Sequence, residues 1–331
     1  MLLEGITAVS MGTLFGSVTV RSGVFSASVI QDQFLMKDFT MCKMFFSAIG
    51  TSAAAFAGLS LACPAAFERS VAFFRKDFVA TVGAAAIGGS ILGLGMAASA
   101  SCPGTVYAQL GAGVPTAIFT FMGCIAGAIV FRALPQLKRL RGKQSVIQLG
   151  SQSCSPTLIS GLVAVCCTAA ALALEVMMPS AVSMTAVAGL FDRSAPLNPL
   201  LAGVVVGLLQ IPAVLIFSAV LGSSTSYTNI ITGNVTHWQT AYTMGIIGGA
   251  YLSRSSMAVA PGSEALNVAG GPLMAFLGGV LATLGANISN GCTSGHGISG
   301  MSLGSVQSLV AVAGMFAAGI ASLHIATLLS K

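Results

Sequence analysis

The sequence predicts an all-α integral membrane protein, and three observations carry that prediction. Hydrophobic residues make up 55% of the 331 positions and charged residues only 7%, against roughly 25% charged in soluble globular domains. Apolar runs of about 18 residues or more, the length a bilayer requires, recur along the whole chain. No polar stretch between them is long enough for a soluble domain of useful size, so residues 1–331 are expected to form a single membrane domain. The formal charge of +6 does not point to nucleic acid, because the basic residues are few and fall in short loops, where membrane topology accounts for them.

About nine transmembrane helices are expected. The first, residues 5–30, follows Met1-Leu2-Leu3-Glu4-Gly5, which lacks the basic start of a signal peptide, so the segment is expected to be retained. It contains Arg21, a charge that is expensive in lipid and functional by default. The second, 41–63, ends at Cys63-Pro64, where proline stops a helix. The third, 78–100, holds small residues from Gly83 to Gly89 that let helix backbones approach closely in lipid. The fourth, 114–134, runs into a basic stretch, and the fifth, 158–177, crosses alone. The sixth, 199–221, meets a polar break at Ser223-Ser224-Thr225-Ser226-Tyr227. The seventh, 228–250, carries Trp238 and Tyr242 as expected interfacial anchors. The eighth, 271–288, repeats the small-residue pattern at Gly278-Gly279, and the ninth covers 305–329.

Loop charges set the direction. Arg132, Lys138, Arg139, Arg141 and Lys143 fill one loop, and Arg69, Arg75 and Lys76 another. The positive-inside rule places both in the cytoplasm, with the N-terminus inside. Spans one to four then begin inside and spans six to nine outside. This is an inverted repeat: repeat one covers about 1–134, a linker helix about 158–177, and repeat two about 199–331.

Two turns break the apolar pattern. Ser99-Ala100-Ser101-Cys102-Pro103-Gly104-Thr105 follows span three, and Gly291-Cys292-Thr293-Ser294-Gly295-His296-Gly297-Ile298-Ser299-Gly300 follows span eight. Non-helical backbone persists at membrane depth only where it is buried in protein or lines a wet cavity. Both are therefore read as re-entrant loops with equivalent thiols, Cys102 approaching from outside and Cys292 from inside. Broken helices aim dipoles and free N–H groups at the centre, which suits an anion. A thiol beside such a site donates to a soft acceptor such as the terminal sulfur of a sulfur oxyanion. His296 is a further donor or titrating group, and Glu175 and Asp192 stand near span boundaries.

Cys102-Pro103-Gly104-Thr105, the run Gly291 to Gly297, and Arg21-Ser22-Gly23 together resemble the YeeE/YedE family of membrane proteins, whose characterised members take up thiosulfate. The likeness extends over most of the chain. It implies an hourglass-shaped protein in which axial cysteines pass thiosulfate along through S–H contacts, and Cys102 and Cys292 match two of those cysteines. Where the family has a third cysteine, this chain has Phe25, with the hydroxyls of Ser26 and Ser28 nearby. The resemblance also implies a small soluble sulfur-relay protein as partner.

The reading is thus a transporter or conduit for thiosulfate or a related sulfur anion, in a plasma or inner membrane, with no enzymatic residue, cofactor or metal. Its expected path comprises Arg21, Ser26, Cys102, Pro103, Gly104, Thr105, Gly291, Cys292, Thr293, Ser294, Gly295 and His296. Two alternatives stay open. One is an intramembrane sulfurtransferase that forms a cysteine persulfide. The other is a copper(I) pathway, suggested by 15 methionines and by Met41-Cys42-Lys43-Met44.

Overall fold

Where a helix is built from glycine and alanine its neighbour can approach backbone to backbone, and such contacts fix the centre of this protein. A computed structural model describes residues 2–77, 80–142, 146–147, 155–182, 195–254 and 270–329. Lys143, Cys154 and Asp192 lie outside those residues. Among the described residues the regular structure is all helical.

In chain order the helices are α1 (Leu2–Arg21), α2 (Ala27–Phe34), α3 (Thr40–Ala62), α4 (Pro64–Asp77), α5 (Val82–Ser99), α6 (Thr105–Ala112), α7 (Ala117–Ala133) and α8 (Pro135–Arg141). There follow α9 (Pro156–Met177), α10 (Pro199–Leu208), α11 (Gln210–Phe217), α12 (Thr225–Thr232), α13 (Trp238–Ser253), α14 (Gly271–Ser289), a π-helical segment (Thr293–Met301) and α15 (Val306–Leu329).

Seven helical segments are long and apolar enough to cross a membrane: α1, α3, α5, α9, α10 with α11, α14 with the π-helical segment, and α15. The pair α7 and α8, bent by 90°, makes an eighth. The expected count of nine is therefore not reached by length. The shortfall is in α13, whose 16 residues follow a break in the expected span 228–250. That break comes at Gly233, whose positive φ of 73° ends α12. Span one is also shorter than expected, since α1 stops at Arg21 and Gly23 turns the chain at φ 77°.

The helices pack in two pairs of matching contacts. Helix α1 packs on α13 as α10 packs on α3, and α5 packs on α15 as α14 packs on α7. Helices α5 and α14 run antiparallel through the middle. A Cβ on Gly88 would lie 2.4 Å from the Ser289 nitrogen, and one on Gly285 2.3 Å from the Leu92 nitrogen. Side chains larger than hydrogen cannot occupy this crossing. Their sequences match at one constant offset: Gly88 with Gly278, Gly89 with Gly279, Leu94 with Leu284, Gly95 with Gly285, Ser99 with Ser289, and Cys102 with Cys292. Helix α9 stands outside the pairing and packs on α3. An ion pair between the buried Lys43 and the half-buried Glu175 joins them, Nζ to Oε2 at 2.9 Å, and Ser180 and Asn198 donate to the same carboxylate.

Candidate functional site

Each of the two central helices ends in a non-glycine residue forced into the left-handed region. Ala100 has φ 50° and ψ 38°, and Asn290 has φ 62° and ψ 36°. A lone residue there costs about 1–2 kcal/mol, so the surrounding bonds must hold it. Ser99 Oγ donates to the Gly95 carbonyl at 2.8 Å and the Ser101 carbonyl at 3.2 Å. Its counterpart Ser289 Oγ donates to the Gly285 and Gly291 carbonyls at 2.9 and 3.1 Å. Gln109 then clasps the first break, its Nε2 donating to the carbonyls of Ala100 and Phe25 at 3.0 Å each.

The first thiol caps a helix. The Thr105 N–H donates to Cys102 Sγ at 3.3 Å, while the Cys102 N–H donates to Thr105 Oγ1 at 2.7 Å. This is a capping box with sulfur in place of the usual hydroxyl. The Val106 N–H bonds the Cys102 carbonyl at 3.1 Å, and Pro103 lies in the turn just before α6, where no helical bond needs its missing N–H. One sulfur lone pair is therefore occupied, and the S–H remains available to donate. Tyr227 fixes the loop by donating to the Pro103 carbonyl at 2.7 Å, and Tyr107 stacks on Tyr227 with ring centroids 5.1 Å apart.

Cys292 plays the equivalent part for the π-helical segment. The His296 N–H bonds its carbonyl at 2.8 Å, and its sulfur lies 3.2 Å from Ser294 Oγ and 3.6 Å from Ser223 Oγ. Ser223 is the link between the two loops. A methyl on Gly104 would come within 2.9 Å of Ser223 Oγ and 3.7 Å of Cys102 Sγ. Both thiols are buried, Cys102 at 6% and Cys292 at 1% exposure.

Short helical pieces begin at these loops: α6 after Gly104 and the π-helical segment after Cys292, with α12 starting after Ser224 beside Ser223. The positive end of a helix dipole lies at each start. A cavity of about 40 Å³ opens beside the starts of α6 and the π-helical segment. Cys102, Gly104 and Thr105 line it from one loop and Thr293 and Ser294 from the other; Phe15, Met44 and Phe45 close it. A larger cavity, about 370 Å³, lies on the other side of the Cys292 loop, with Gly291 in its wall.

The other expected path residues are placed differently. His296 is buried, with Nδ1 3.1 Å from Ser308 Oγ and Nε2 3.1 Å from the Ser289 carbonyl. Both nitrogens are engaged and its ring covers Gly291, so it staples the loop and lines neither cavity. Arg21 also lines neither; its Nε donates to the Ala195 carbonyl at 2.9 Å, and its own carbonyl receives the Leu197 N–H. Ser26 Oγ sits 2.9 Å from Ser28 Oγ. Pro103 contributes its carbonyl to Tyr227, and Gly295 is buried in the π-helical segment. Tyr242 is buried edge-on against Phe15 at 6.0 Å, a core residue where an interfacial anchor was expected. The apolar walls Phe15, Met44 and Phe45 carry no sequence signal, since an apolar residue in an apolar span reads the same whether it faces lipid or cavity.

A family model described as sulphur transport matches residues 21–321. The chain belongs to that family, the YeeE/YedE family of sulfur transporters, and is a multi-pass membrane protein with a role in sulfur transport. No individual curated protein matches it.

Proposed function

We propose that this member of the sulphur transport family takes up thiosulfate through a central path with Cys102 as its outer station and Cys292 as its inner one. The observation that carries the reading is that the two broken loops meet at two buried thiols: Cys102, Gly104 and Thr105 share one cavity with Thr293 and Ser294, and Ser223 lies against both loops. Each helix start is equivalent to about half a positive charge. The starts of α6 and of the π-helical segment together present on the order of one charge to the anion, and among the described residues no carboxylate lines the small cavity. The oxyanion end is held by N–H and hydroxyl donors, among them Thr105, Ser223 and Ser294. A neutral S–H turned to the terminal sulfur distinguishes thiosulfate from sulfate.

The orientation follows from charge. Basic residues on α4 and α8 support, by the positive-inside rule, a cytoplasmic location for that end, with the N-terminus inside. Residues about 1–134 and 199–331 form inverted repeats around a linker helix at about 158–177. The constant sequence offset across the central helices and the exchangeable packing pairs support that division. His296, Pro103 and Tyr227 position the loops, and Arg21 anchors the end of α1. A soluble sulfur-relay protein would receive the product on the cytoplasmic side.

The test is uptake of labelled thiosulfate into proteoliposomes by the wild type and Cys292→Ala, with sulfate as competitor. Uptake by the wild type alone, not suppressed by external sulfate, supports the thiol path. Equal uptake by both proteins refutes the role of Cys292. A persulfide adduct found by mass spectrometry after substrate exposure would instead make the protein a covalent sulfur carrier.

A further inference from the structure

We propose that the large inner cavity is a second anion site, open to any small divalent oxyanion. This inference stands independently of the uptake reading above. The cavity, about 370 Å³, falls in the range of small-molecule sites. Among the described residues three cations line it, Arg132 from α7 and Lys138 and Arg141 from α8, and no carboxylate does.

The three cations have different work. Arg141 is committed to structure: its Nε and Nη2 donate to the Asn287 carbonyl at 3.0 and 2.7 Å, and its guanidinium lies over the Phe131 ring at 5.2 Å. It caps the last turn of α14 and so forms a fixed wall. Arg132 and Lys138 have no ion-pair partner among the described residues, and their charges face the cavity uncompensated. The start of α12 at Ser224 and Thr225 adds donors from the opposite wall. Gly291 forms part of the floor, and Cys292 is the next residue.

The donor set decides the ligand class. Among the described residues every lining polar side chain is a nitrogen or oxygen group, and none is a thiol. A site of this kind holds a dianion by charge and N–H donors and has nothing with which to recognise a terminal sulfur. Selection at the thiols and retention in the cavity are therefore separate operations. Sulfate on the cytoplasmic side binds here although the thiols reject it.

The test is equilibrium binding of labelled sulfate to the full-length protein in phosphatidylcholine nanodiscs at constant ionic strength, set with chloride. Saturable binding is expected. It should weaken at least tenfold in Arg132→Gln/Lys138→Gln, whose side chains are exposed, and stay unchanged in Cys292→Ala. Absence of saturable binding, or a double variant that binds like the wild type, overturns the site. Loss of sulfate binding when phosphatidylglycerol is added would assign the cations to lipid headgroups and equally overturn it. If sulfate binds but no variant transports thiosulfate, the uptake reading fails while the anion site stands.

Discussion

Replacing Thr105 with valine tests whether the Cys102 loop works through its geometry. The change is nearly isosteric, keeps both thiols and leaves the Thr105 N–H to Sγ bond in place. It removes the oxygen that accepts the Cys102 N–H at 2.7 Å and that lies 3.2 Å from Ser101 Oγ. A buried N–H left without a partner costs about 1–3 kcal/mol. With 1.4 kcal/mol per factor of ten, the capped loop becomes about 5- to 150-fold less populated relative to open forms. The initial rate of labelled thiosulfate uptake in proteoliposomes should fall, by at most that factor. Alkylation of Cys102, followed by peptide-resolved mass spectrometry, should accelerate as the sulfur leaves its cap. Thr105→Ser retains the oxygen and should behave like the wild type. Thr105→Val uptake within twofold of wild type, with Cys102 alkylation unchanged, would refute the argument that the capping box presents the thiol.

Other substitutions probe the scaffold. Gly285→Ala places a methyl 2.3 Å from the Leu92 nitrogen, and such overpacking should cost about 1–3 kcal/mol. Thermal unfolding of the detergent-solubilised protein should shift down, while Gly58→Ala, which meets nothing within 4 Å, should not shift it. Glu175→Gln leaves the Lys43 ammonium buried without its counter-ion and should destabilise by about 3 kcal/mol; Lys43→Met/Glu175→Leu should recover most of that in the same assay. His296→Leu strands the Ser308 hydroxyl and the Ser289 carbonyl, so it should lower thermal stability and uptake together. A variant that lost uptake with stability unchanged would instead give His296 a direct role at the path.

The membrane class and the two broken turns were legible because they contradict the rule that governs the rest of the chain. In lipid, backbone polar groups must be satisfied within the segment, so Pro103-Gly104 and the run Gly291 to Gly300 stand out against apolar neighbours. The thiols inside those turns were visible for the same reason. Spans nearest the ideal, such as 158–177 against Pro156–Met177 and 305–329 against Val306–Leu329, were also close. Where the expectation failed, a single backbone angle intervened. Gly23 and Gly233 take positive φ, and nothing in the hydropathy of the adjoining residues marks them from the many glycines that remain helical.

What each side chain faces was decided by tertiary structure alone. His296 and Arg21 have chemistry suited to a path, yet one is held by Ser289 and Ser308 and the other by Ala195. Phe15, Met44 and Phe45 have none, yet they wall the cavity. Arg132 and Lys138, informative in sequence only about topology, share a cavity with a loop far away in the chain. The physical reason is that hydropathy alternation, which reports facing in soluble proteins, is absent when lipid and protein interior are equally apolar. Facing is then set by which glycines allow two backbones to touch, and those contacts join residues such as Gly88 and Ser289 that are remote in sequence.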